Sequence, residues 1–210
     1  MELLDLLLPS NCALCNCSGP AICENCKSKF QARDFDIHRT GLSGFSATSY
    51  TEDSAKLIHE FKEGGQTSLA KFFASLIAPR ISQFSKSGAI LVPAPSTKSA
   101  SLKRGFQPAQ VLAQQLGRQT GLASFNALKP KFEVADQAAL SRGQRLANLL
   151  ESMIASRALA GLPVILVDDI VTTGATLAEA RRAVTAAGGI PIFFATFAET
   201  IRKIGNGFSN

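Results

Sequence analysis

Tryptophan is missing from the 210 residues, tyrosine occurs once and histidine twice. A protein of this composition that stacked nucleic-acid bases on aromatic rings would have to use phenylalanine. No apolar run approaches the roughly 20 residues that a membrane-spanning helix needs. Charged residues make up only 18% against 46% hydrophobic. That balance excludes global disorder and leaves material for a sizeable core. Internal repeats and low-complexity tracts are lacking. So are the Gly-Lys-Ser/Thr ending of a P-loop and the Gly-x-Gly-x-x-Gly of a dinucleotide site. The opening stretch, Met1 to Pro9, is apolar but carries Glu2 and Asp5, without the basic flank of a secretory leader. It predicts a short amphipathic helix on a cytoplasmic chain.

Against these absences, one stretch carries concentrated chemistry. Val164, Ile165, Leu166 and Val167 form an apolar run of the kind buried on both faces of a sheet. Asp168 and Asp169 follow, where such a strand would leave the core. Val171, Thr172, Thr173, Gly174, Ala175 and Thr176 then lead into a helix expected from Leu177 to Ala187. The unpaired amides and positive dipole end of that helix attract an anion, and the threonines add hydroxyl donors. Two carboxylates suit vicinal hydroxyls, or a hydrated Mg2+ beside them. Together they fit a sugar phosphate. An ordinary capped strand-to-helix turn is the alternative, but it does not require two acids, three threonines and an open glycine at once.

Net charge is +6, and the excess is concentrated in the middle of the chain. Between Lys86 and Arg145 stand nine basic residues and only two acids, Glu133 and Asp136. Such a stretch attracts pyrophosphate, nucleotide or nucleic acid. For any single lysine or arginine in it, a solvated surface side chain is the plainer reading. Its clearest piece is a strand at 89–92, then Pro93-Ala94-Pro95, then a basic loop over 96–106 holding Lys98, Lys103 and Arg104, then a helix over 108–117. This repeats the strand, loop, helix order with cations in place of acids, which suits a pyrophosphate.

Cys12-x-x-Cys15 and Cys23-x-x-Cys26 are two knuckles from which four thiolates can satisfy a tetrahedral Zn2+. A redox Cys-x-x-Cys is the alternative, though no βαβ context accompanies it. Cys17 is left over, as a free thiol or a neighbour of the site. A closed four-sulfur site would hold together a segment too small for its own core.

The remaining elements are coarser. A short helix is expected at 26–30, a linker at 33–44 and an edge strand at 45–50. Helices are expected at 54–61 and at 68–77, the latter stopped near Pro79 with its phenylalanines in the core. A flexible loop is expected at 129–139, a helix at 144–155 and a strand at 192–197. His38 reads as a loop residue, His59 as a helix-surface residue and Lys62 as a solvated lysine with a secondary phosphate contact as the alternative. Strand, helix and strand joined by short returns imply a parallel sheet, with ligands at the strands' carboxyl ends.

The diacid-threonine loop resembles the signature of type I phosphoribosyltransferases, which bind phosphoribosyl pyrophosphate (PRPP). Taken with the four cysteines, Val92 to Pro95, Lys103-Arg104-Gly105-Phe106, and Gln137, Leu140, Arg145 and Asn148, the chain resembles the ComF family over nearly its whole length. That family is linked to competence and DNA uptake. The resemblance implies an α/β fold: a mostly parallel phosphoribosyltransferase-like sheet flanked by helices (residues 45–210) behind a zinc-binding module (residues 1–44). It implies the 5-phosphate on Val171 to Thr176, the ribose hydroxyls on Asp168 and Asp169, and pyrophosphate with Mg2+ near Pro93, Ala94, Lys103, Arg104 and Arg145. Asp168, Asp169 and Arg104 would be the catalytic groups, and no acceptor is implied. The resemblance also leaves room for a non-catalytic PRPP or nucleotide regulator, or for a protein that handles single-stranded DNA or binds competence proteins.

Overall fold

The computed structural model describes residues 11–131, 152–155, 159 and 161–200. The helix expected over 1–9, most of the segments expected over 129–139 and 144–155, and Arg145 lie outside the described residues.

The helices are α1 (Glu24–Lys27), α2 (Glu52–Lys62), α3 (Leu69–Ile81), α4 (Lys98–Arg104), α5 (Pro108–Thr120) and α6 (Ala175–Ala186). The strands are β1 (Ile37–Arg39), β2 (Leu42–Ser49), β3 (Ile90–Pro93), β4 (Ala123–Ser124), β5 (Leu128–Pro130), β6 (Met153–Ala155), β7 (Pro163–Val171) and β8 (Ile190–Glu199). Six strands make one sheet in the order β1-β2-β8-β7-β3-β4, and β5 pairs with β6 separately. Only the β1–β2 pairing within the large sheet is antiparallel. The expected α/β class with a mostly parallel, helix-flanked sheet is what the chain adopts.

The centre of the sheet shows why. Ile165 and Val167 pack with Phe61, Phe73, Leu112 and Leu116 on one face, while Val164 and Leu166 pack with Leu177, Ala180 and Val184 on the other. Alternate side chains of β7 are therefore both covered, which requires an unbroken apolar run. The strand does not stop at Val167, as its apolar run suggested. It continues through both acids, paired Asp168 to Thr196, Ile170 to Ala198 and Val171 to Glu199. Pairing to β8 supplies backbone partners that composition does not reveal.

Several expectations are corrected by packing. The expected linker over 33–44 contains β1 and the start of β2, and the expected edge strand is an inner one, between β1 and β8. Gly44, the last residue of that expected linker, stands opposite Phe194 in register, and a Cβ there would lie 2.2 Å from the phenylalanine ring. Helix α3 runs through Pro79 to Ile81. A proline inside a helix costs about 3 kcal/mol. Fully burying Ile77 and Ile81 on the same helix returns about 1.5–3 kcal/mol each, so the helix continues. The helix expected at 26–30 is α1, which begins between Cys23 and Cys26. The basic loop over 96–106 contains α4, capped by Thr97 and ended by Gly105.

Residues 128–130, expected at the edge of a loop, and 153–155, expected as helix, form the β5–β6 ladder. Helix α6 imposes this. Glu179 accepts the Met153 backbone N–H at 2.9 Å, and Arg182 donates to the Met153 carbonyl at 2.8 Å. The phenylalanines of α3 are core residues as expected: Phe73 stacks on Phe197 with ring centroids 3.9 Å apart.

The cysteine segment joins the same core. Cys12, Ala13, Ala21, Ile22 and Cys26 are buried in one cluster with Phe45, Phe61 and Phe72. Phe30 meets Phe72 edge-on at 5.6 Å, and Lys56 donates to the Leu14 carbonyl at 2.9 Å.

Candidate functional site

β3 and β7 are adjacent and parallel, so the two loops singled out from the sequence open at the same end of the sheet. The Ala94 backbone N–H donates to the Val167 carbonyl at 2.8 Å, fastening the Pro93–Ala94 turn to the strand that carries the acids. Both turn residues are buried and form a wall rather than a flexible lip.

Helix α6 begins at Ala175, two residues before the expected start. Gly174 turns the chain with φ 84°, and its carbonyl accepts the Ala178 N–H at 2.8 Å. Thr176 therefore lies in the first helical turn, whose amides have no partners within the helix. Thr172 and Thr173 are exposed, and Thr173 Oγ1 accepts the Ala175 N–H at 3.3 Å. The turn between β1 and β2 closes against this loop. A Cβ on Gly174 would sit 2.9 Å from Thr40 Cγ2, so only glycine fits. Arg181 on α6 donates to the Thr40 carbonyl at 2.9 Å. Arg39 and Arg33 both pair with buried Glu199, which stands beside Val171 in register. Arg39 and Arg181 thus flank the β1–β2 turn beside the loop.

The two acids differ. Asp169 is only 2% exposed and meets Lys62 of α2, whose Nζ lies 2.9 Å from Oδ2. That contact is an ion pair without hydrogen-bond alignment, so Oδ2 keeps an unfilled hydrogen-bonding position. Asp168 is half-buried and accepts the Asp169 backbone N–H at 2.9 Å. Desolvation, then the neighbouring Asp169 charge, push the Asp168 carboxyl well above its ordinary value, and Lys62 offsets part of this. Lys62 is thus not the solvated lysine expected: in this structure it is the counter-ion of a buried acid.

Arg104, at the end of α4, donates through Nε and Nη2 to Oε1 of Glu63 at 2.9 and 2.8 Å. Lys103 lies 3.8 Å from Oε2 of the same carboxylate and is otherwise exposed. The hydrogen bond from Arg104 is the main reason the Glu63 carboxyl is held below its ordinary value. Lys62 and Glu63 are consecutive, so the last turn of α2 touches both the acid set and the cation set. One sign of this is legible in residue order: a lysine and a glutamate directly after a core phenylalanine and directly before Gly64-Gly65.

The sulfur atoms of Cys12, Cys15, Cys23 and Cys26 lie within 4.8 Å of one another, and among the described residues this is the one group of three or more potential metal ligands. Tetrahedral zinc with bonds of about 2.3 Å needs sulfurs about 3.8 Å apart. Cys15 and Cys23 stand at 3.7 Å. The donor set therefore fits a metal ion such as zinc. Burial opposes the Cys12 thiolate, but the backbone amides of Cys15, Cys23 and Leu14 lower its pKa to about 6. Burial and then the neighbouring thiols push Cys26 up to about 12. Cys17 lies 3.4 Å from the Cys15 sulfur, at the edge of the group. His38 is in β1 against Ser43, and His59 is an exposed residue of α2.

A separate cleft of about 600 Å3 lies between this segment and α3, lined by Pro20, Ile22, Lys27, Lys71 and Phe72 among others. None of the loop or diacid residues borders it.

No family model matches the chain. It is 25% identical over 198 residues to competence protein ComFC of Streptococcus pneumoniae, covering 87% of each protein. It is 28% identical over 140 residues to DNA utilization protein YhgH of Salmonella typhimurium, covering 64% of the chain and 62% of that protein. Competence protein F of Haemophilus influenzae is 30% identical over 140 residues, 62% of the chain and 61% of that protein. These relatives support the resemblance to the ComF family. No helix among the described residues is long and apolar enough to cross a membrane.

Proposed function

We propose that the chain binds a phosphoribosyl ligand, PRPP, at the carboxyl ends of β3 and β7, and that it serves DNA uptake or use. The relatives named for competence and DNA utilization support the second part. The observation that carries the first is the adjacency of two unlike loops: an acid-bearing one leading into a helix N-terminus, and a basic one ending in Arg104.

On this reading the 5-phosphate lies on Thr172 to Thr176, where first-turn amides and hydroxyls donate to it. Asp168 and Asp169 accept from the ribose hydroxyls. The pyrophosphate lies by the Pro93–Ala94 wall, toward Lys103 and Arg104. Mg2+ bound with the ligand would neutralise phosphate charge, with Asp168 and Asp169 as the carboxylates beside it. In transfer, the bond from the anomeric carbon to a pyrophosphate oxygen breaks and its electron pair leaves with the pyrophosphate. A bond to the acceptor forms in its place. The carboxylates stabilise the positive charge that develops on the sugar, and the cations stabilise the leaving group. Zinc in the four cysteines would be structural, tying residues 12–26 to the core beneath α2 and α3.

Isothermal titration with PRPP and Mg2+ tests the binding. The wild-type chain should release heat, and the double substitution Asp168→Asn/Asp169→Asn should abolish it. Equal heat from both proteins, or none from wild type, would sink the site. Pyrophosphate release across a panel of bases and amines separates transfer from binding alone. Loss of natural transformation on replacing the chromosomal copy with the same double variant tests the link to DNA uptake.

A further inference from the structure

The end of α2 touches both the acid set and the cation set, and Glu63 has no place in the expected ligand scheme. Glu63 places one carboxylate oxygen on Arg104 (2.9 and 2.8 Å) and points the other at Lys103 (3.8 Å). Two oxygens of one anion held by these two cations is the contact a phosphate group would make. The residue before it, Lys62, holds Asp169 at 2.9 Å. Consecutive residues have Cα atoms only about 3.8 Å apart, so these two pairs sit side by side at one helix end. An ordinary surface ion pair would join whichever charges lie nearest. Here two successive residues of opposite sign each meet a site residue of the opposite charge, from two different elements.

We propose that Glu63 is an internal stand-in for the anionic leaving-group half of the ligand, which must displace it from Arg104 and Lys103 in order to bind. This deepens the phosphoribosyl reading and rests on it. Glu63 thereby sets selectivity: ligands carrying a pyrophosphate compete with it, whereas a ligand with only the sugar phosphate does not reach Arg104. The contact is a half-exposed pair, so its displacement is an inexpensive step that tunes affinity without blocking the site.

The test is titration calorimetry at fixed salt with three probes, each with Mg2+: PRPP, inorganic pyrophosphate and ribose 5-phosphate. Glu63→Gln keeps the shape of the side chain and removes its charge. It should bind PRPP and pyrophosphate about two- to fivefold more tightly than wild type, the size expected for losing one exposed ion pair. Ribose 5-phosphate affinity should not change. Glu52→Gln, which removes the same charge from the far end of α2, should change none of the three. In an Arg104→Gln background, Glu63→Gln should have no further effect. Unchanged or weaker pyrophosphate binding by Glu63→Gln overturns the proposal while leaving the phosphoribosyl site standing if ribose 5-phosphate and PRPP still bind. Binding of none of the probes by either protein overturns both.

Discussion

Lys62 Nζ stands 2.9 Å from Oδ2 of Asp169, and this pair joins helix α2 to the acid-bearing strand at the centre of the sheet. Asp169 is almost fully buried, while Lys62 keeps 27% of its side chain exposed. The lysine can therefore remain hydrated where it cancels the charge of a desolvated acid.

Lys62→Met leaves Asp169 buried without that cation. It should lower stability by about 1–3 kcal/mol, less than for a fully enclosed pair because water still reaches the lysine side. Urea unfolding measures this. Asp169→Asn added to Lys62→Met should recover part of the loss, since no unpaired charge is then left behind. A double variant losing the full sum of the single losses would show that the two residues do not act on each other.

Asp168 sets a pH dependence of determinable sign. Its carboxyl titrates well above the ordinary 3.8, so the folded state favours the protonated form. The stability this group contributes is fully present below that ordinary value and is lost as pH rises through the raised one. Asp168→Asn should therefore stabilise the chain at neutral pH and match wild type near pH 4, while weakening PRPP binding. Thermal unfolding of both proteins from pH 4 to 8 checks the convergence. A stabilisation that did not fade toward low pH would contradict it.

Gly174→Ala should cost about 1–3 kcal/mol, from a Cβ at positive φ and its collision with Thr40. The larger effect should fall on the loop. Ribose 5-phosphate titration is expected to lose most of its heat, whereas the same substitution at exposed Gly88, which has open space around it, should leave binding unchanged.

The four-cysteine cluster should carry one metal ion per chain. With the ion bound, a thiol reagent should modify Cys17 far faster than Cys12, Cys15, Cys23 and Cys26. Chelation should expose all five and lower the melting temperature, because residues 12–26 share a buried cluster with Phe61 and Phe72. Purified protein without metal and with five equally reactive thiols would refute the site.

Much of this arrangement is legible in residue order. The four buried residues Val164 to Val167 mark the central strand, because a segment covered on both faces has no polar position to spare. The paired Cys-x-x-Cys knuckles mark the metal site, because each turn brings its two thiols together locally. The acids, threonines and Gly174 mark the loop, because helix-start chemistry is also local. Where the reading erred, the deciding contact was distant. Gly44 looked like linker until Phe194 was placed against it. Pro79 looked like a helix end until Ile77 and Ile81 were seen to be buried. Residues 153–155 looked helical until Glu179 and Arg182 took up their backbone groups.

The sequence by itself determined the central strand, the helix that follows it, the cysteine cluster and the strand-to-helix loop, since spacing, capping and apolar period act over a few residues. Only the tertiary structure decided that Lys62 neutralises Asp169 and that Glu63 holds Arg104. Charge attracts any opposite charge within reach, and which partner comes within reach is set by where the end of α2 lies against β7 and α4.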